Sequence, residues 1–76
     1  MLNITTDADT IGNATMVTHT FTNSTVADQC ILGSIYRDAT LTSLVVQRPG
    51  ERPTIYKEDL EAKFAEHYAD FVARYA

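Results

Sequence analysis

The last twenty residues constrain this chain more than any other stretch. From Lys57 to Ala76 no Gly or Pro intervenes, and large apolar side chains return every third or fourth position. Leu60, Phe64, Tyr68, Phe71 and Tyr75 fall on one side of a helix turned by about 100° per residue. Ala62, Ala65, Ala69, Ala73 and Ala76 recur at three, four, four and three, and so fall on the far side. The pattern predicts a helix over 57–76. Glu58, Asp59 and Glu61 then occupy its first turn, where the positive end of the helix dipole favours them, and Arg74 sits near the negative end. Asp59–Lys63 and Asp70–Arg74 are expected as i,i+4 pairs, each worth about 0.2–0.5 kcal/mol. A helix of about nineteen residues spans ~28 Å, which leaves its last turn room to project past a small sheet.

The preceding residues read as strands. In "TMVTHTFT", Val17, His19 and Phe21 alternate with Thr18, Thr20 and Thr22, which predicts a half-buried strand over 14–22. The threonine row suits solvent or a polar interface. "CILGSIYR" predicts a second strand over 29–37, with Gly33 marking a bulge or a close backbone approach. "TLTSLVVQ" predicts a third over 40–47. "RPGERP" is a turn, and "TIY" makes a short fourth strand that Pro53 confines to an edge or a strand start. "LNITT" reads either as one more edge strand or as irregular chain. The expected fold is α+β: a three- to four-stranded antiparallel meander with one long C-terminal helix on one face. It forms a single domain over 1–76, mainly β to residue 56.

Seventy-six residues bury a modest fraction of their surface, so the chain alone should be stable by roughly 4–11 kcal/mol. Cys30 is the only cysteine, so no disulfide helps. The core must pack well, or a partner must contribute. The net charge of −4 argues against direct nucleic-acid binding, which needs a basic surface. Acidic character lies at both ends, while Arg37, Arg48, Arg52 and Lys57 make the middle basic. No apolar run approaches the ~20 residues of a membrane span. The start "MLNITTDADT" lacks the basic and apolar regions of a secretory signal, so the expected location is a reducing cytoplasm.

Several constellations bear residue types that can carry chemistry. Asn3, Asn13 and Asn23 each open an N-x-T at a spacing of ten. Glycosylation needs a secretory route, and a ten-residue repeat is supported at too few columns, so Asn in turns and Thr in strands is the preferred reading. Asp7, Asp9 and Gly12 match three positions of a calcium loop, but Ile11 and Thr18 stand where oxygen ligands are needed. Cys30, His19 and His67 are the only soft metal ligands and lack the short spacing of a metal motif. His19 reads as a core or rim histidine, and Cys30 as a small buried hydrophobe. A Cys30–His67 nucleophile pair has no Gly-rich loop or elbow to support it. The aromatic row of the helix reads as core, with Phe64 and Phe71 near its centre, rather than as a stacking platform for bases.

Neither a catalytic site nor a cofactor or metal is therefore expected, and the chain is read as a non-enzyme. The leading expectation is a protein–protein interaction module, of the kind found among phage virion, assembly or accessory proteins. Its interface would be the alanine face of the helix, Ala62, Ala65, Ala69, Ala73 and Ala76, meeting a protein partner or a second copy. The alternative is an acidic inhibitor whose Asp59, Glu66 and Asp70 imitate a phosphate backbone in a host enzyme's nucleic-acid site.

Overall fold

The alternation of β-branched and apolar residues produces five strands before the single helix. The computed structural model describes residues Met1–Ala76. In chain order it has β1 (Leu2–Ile11), β2 (Ala14–Asn23), β3 (Val26–Arg37), β4 (Thr40–Gln47), β5 (Thr54–Tyr56) and α1 (Leu60–Tyr75). The strands form one antiparallel sheet in sequence order, a simple meander, with α1 across one face.

Five strands replace the expected three or four. The addition is β1, which "LNITT" suggested only as a possibility. The two-residue Gly12–Asn13 turn carries all ten residues of β1 into unbroken register with β2. Gly12 supplies the positive φ of 62° that this turn needs. The polar residues Thr5, Thr6, Asp7, Asp9 and Thr10 hide such a strand from a search for buried runs, because an edge strand need not be buried. β3 begins at Val26 rather than 29, since Asn23 already faces Val26 across the "ST" turn.

Residues directly opposite in the ladder share a face, which fixes the core. Phe21 lies between Ile4 and Cys30, and His19 between Thr6 and Leu32. Leu32 faces Val46, and Ser34 faces Leu44. On this inner face Phe21, Cys30, Leu32, Leu44 and Val46 are buried against Phe71 and Tyr75 of α1. Each large apolar side chain so buried contributes about 1.5–3 kcal/mol. Thr18, Thr20 and Thr22 turn to the outer face, as the alternation predicts.

The helix begins at Leu60, not at Lys57. Asp59 adopts a left-handed conformation (φ 53°) just before it, and Lys63 N–H donates to the Asp59 carbonyl at 2.8 Å. Lys57 to Asp59 are consumed in turning the chain from β5 onto the inner face. Glu61 is thus the only acid in the first turn. The expected i,i+4 pairs also give way. Asp70 instead meets Arg48 at 2.6 Å, Arg74 meets Asp28 at 2.8 Å, and Lys63 lies 3.8 Å from Glu66. The last turn does not project, because Tyr75 is fully buried. Phe71, not Phe64, marks the centre of the aromatic row: Phe71 is fully buried and Phe64 half-buried.

The β3–β4 turn places Asp38 and Ala39 at positive φ, 49° and 65°. Asp tolerates that region, but Ala has a Cβ that costs roughly 1 kcal/mol there. Ala39→Gly should therefore raise the urea midpoint by an equivalent of about 0.5–1 kcal/mol, despite the extra chain entropy that glycine brings to the unfolded state. A variant less stable than wild type would contradict this turn geometry.

Candidate interaction surface

Three outward surfaces are built by these elements, and each follows from one local rule. The first is the alanine face of α1. Because Leu60, Phe64, Tyr68, Phe71 and Tyr75 turn to the sheet, Ala62, Ala65, Ala69 and Ala73 turn to solvent, and all four are exposed. Ala76 is also exposed, as the C-cap residue after the last helical position. Ala62, Ala65, Ala69 and Ala73 thus lie along one side of the helix, with Ala76 just beyond its end.

The second surface is the outer face of the sheet, which no element covers. Ladder register puts Met16 beside Ile35, and Gly33 between Thr18 and Val45, with Ile55 beyond Val45. Met16 and Ile55 are 39% and 59% exposed, which makes this an apolar strip open to water. Gly33 serves here as a close approach rather than a bulge. A Cβ added to it would stand 3.0 Å from Met16 Cε and 3.6 Å from Val45 Cβ, so its absence lets the methionine lie across β3. The bulges fall elsewhere, between Phe21 and Asn23 and between Ile35 and Tyr36. Toward β1 the outer face turns polar, with Thr5, Asp7, Asp9, Thr18 and Thr20. The third surface is the free edge of β1, where nine of ten residues are exposed.

Asp28, Arg48, Asp70, Arg74 and Tyr75 serve the docking of α1. Tyr75 hydroxyl donates to Asp28 Oδ1 at 2.6 Å and lies 3.5 Å from Cys30 Sγ. Arg74 donates to the second Asp28 oxygen at 2.8 Å. The Tyr75 hydroxyl, with help from Arg74, holds the Asp28 carboxyl below its ordinary value. Burial, reinforced by Asp28, pushes the Tyr75 phenol well up. Asn23 amide donates to the Tyr75 carbonyl at 2.7 Å, while its oxygen accepts from Thr25 N–H at 2.9 Å. At the other side, Arg48 lies 4.9 Å from the centre of the Phe71 ring and holds Asp70 below its ordinary value. Spacing alone could not pair Asp28 or Asn23 with a helix some fifty residues on.

The remaining sequence candidates separate. His19 packs edge-on to Phe64 and Tyr68, with ring centroids 5.6 and 6.1 Å away. His67 lies against Tyr56 and Phe71, at 5.5 and 6.0 Å. Neither Nδ1 has a partner. Cys30 is buried under Tyr75. No three of the chain's His, Cys, Asp and Glu side chains come together as a metal site. Asp7 and Asp9 belong to β1 and Gly12 to the turn after it, so the calcium-loop pattern falls on a strand. Asn3 sits in β1, Asn13 in the first turn and Asn23 at the end of β2, so one asparagine of the three is strand-interior rather than in or beside a turn. No helix is long and apolar enough to cross a membrane. Compared with family profiles, curated proteins and solved structures, the chain matches none.

Proposed function

We propose that this chain is a non-enzymatic protein–protein interaction module that docks through the outsides of its two layers. One observation carries the reading: the uncovered sheet face bears an apolar strip of Met16, Ile35, Val45 and Ile55 where a solvated antiparallel sheet ordinarily bears polar side chains. The alanine face, Ala62, Ala65, Ala69, Ala73 and Ala76, offers a second contact. Small side chains there admit another helix to about 8 Å between axes. An assembly or accessory role of the phage type, in the cytoplasm or in a virion, is the setting such a module suits. Acidic mimicry has less support, because Asp70 is already engaged by Arg48 and Glu66 lies near Lys63.

Two surface variants test the reading. Ile55→Glu and Ala69→Glu each put a charge where a docked partner would bury it unpaired, and neither residue belongs to the core. Both should keep the wild-type circular dichroism and melting temperature. In affinity capture from the cells that make the protein, at least one should lose a partner that wild type retains. If both variants capture every wild-type partner undiminished, the reading is wrong. Binding that collapses between low and physiological salt would point to the acidic face instead.

A further inference from the structure

The sheet has two edges, and they are guarded unequally. β5 is three residues long and follows Pro53 directly. β1 runs ten residues with no Pro, no Lys and no register shift against β2. Natural edge strands are ordinarily shortened, bulged, covered or charged, most often with lysine, to prevent further pairing, and of these devices β1 has only the carboxylates of Asp7 and Asp9. The two-residue turn makes Ile11–Ala14 a hydrogen-bonded pair, and bonded pairs alternate along the ladder. The odd residues from Asn3 to Ile11 therefore spend their backbone groups on β2. Leu2, Ile4, Thr6, Ala8 and Thr10 turn theirs outward, a row that water or another extended strand can satisfy.

Resting on the reading of this chain as an interaction module, we propose that β1 pairs antiparallel with β1 of a second copy, centred on Thr6, to make one ten-stranded sheet. The sequence of the strand is self-complementary in this register. On the helix side every β1 residue is uncharged, and Ile4 meets the partner's Ala8 twice around a Thr6–Thr6 centre. On the outer side Thr5 meets the partner's Asp7 and Asn3 meets the partner's Asp9, so each carboxylate faces a hydrogen-bond donor. Shifting the centre to Asp7 opposes two carboxylates, and shifting it to Thr5 leaves Asp9 beyond the paired stretch. A single-residue slip would pair the wrong backbone groups. The symmetry closes at two copies, because β5 offers no matching edge.

The two Asp7 carboxylates lie diagonally across the seam at about 7 Å, so salt should strengthen this association rather than weaken it. Sedimentation velocity on the full chain tests this. At concentrations up to about 0.5 mM the 8.4 kDa chain should double in mass, with a dissociation constant several-fold lower in high salt than in low. Asp7→Asn should tighten it several-fold at low salt. Thr6→Pro removes the N–H at the seam centre, one that β2 does not use, and should give a folded monomer. Ile55→Glu, on the far edge, should leave the dimer intact, so loss of the sheet-face contact and loss of the β1 contact are read separately. A chain that stays monomeric throughout, a dimer that folded Thr6→Pro retains, or an association that neither Asp7→Asn nor salt strengthens would overturn the proposal. So would a monomer that pairs β1 with a lysine- and threonine-containing strand peptide, since the partner would then be foreign. If Thr6→Pro does not fold, the salt and Asp7→Asn results decide alone.

Discussion

Phe71→Ala should cost about 3–5 kcal/mol, much of a total of roughly 4–11 kcal/mol for a chain of 76 residues. Phe71 is fully buried where the helix crosses the sheet. Its ring lies 5.5 Å from that of Phe21 and 6.0 Å from that of His67, with the Arg48 guanidinium over it. Removing the ring opens a cavity among Phe21, Leu32 and Leu44 that a short sheet cannot close, and it strips Arg48 of its platform. Urea unfolding followed by circular dichroism measures the loss. Phe64→Ala is the control. Phe64 is half-buried and touches His19 and Tyr68 at the rim, so its truncation should cost clearly less. Equal costs would mean that the core is not centred where this geometry puts it.

Tyr75→Ala should destabilise by a similar amount, about 3–5 kcal/mol, because a fully buried aromatic is lost from the helix's last turn. Its hydroxyl makes a separate contribution that pH reveals. The Asp28 carboxyl titrates below its ordinary 3.8 in the folded protein, chiefly through the Tyr75 hydroxyl, and Asp70 does so through Arg48. Their contribution is fully present above about pH 4 and is lost as pH falls through the lowered folded values. The Tyr75 phenol is shifted the other way, above its ordinary 10.0, by burial and by Asp28. Its contribution is present below pH 10 and is lost as pH rises through the folded value. Tyr75→Phe should therefore flatten the alkaline limb and make the acid limb shallower, while keeping the ring in the core. Melting temperatures across the pH range check this. A Tyr75→Phe profile parallel to wild type at both ends would contradict the hydrogen bond to Asp28.

The two periodicities of the chain explain what could be read in advance. β2 alternates because one of its faces is buried, so the side on which Phe21 lies is legible from spacing alone. The helix repeated at three and four for the same reason. β1 was hidden because burial leaves no mark on an edge strand: its order comes from the turn at Gly12 and from backbone pairing, which hydropathy does not register. The helix start is not legible in the sequence, because Glu58 and Asp59 fit a first turn as well as they fit the link that precedes it, and only the path from β5 decides. Asp28 and Asn23 secure α1 through contacts that span 47 and 52 residues, beyond any local pattern. The alanine face was legible as spacing. The apolar strip of Met16, Ile35, Val45 and Ile55 was not, since four strands supply it and their register is needed to assemble it.

The most direct test of the interaction reading is methyl NMR on chain labelled at Ile, Leu, Val and Ala, recorded alone and then with a captured partner, both below the concentration at which the chain associates with itself. The account predicts shifts or broadening at Ile35, Val45 and Ile55, or at Ala65, Ala69 and Ala73, while the buried methyls of Leu32, Leu44 and Val46 hold their positions. Spectra in which none of these outward methyls responds to a partner that demonstrably binds would contradict it.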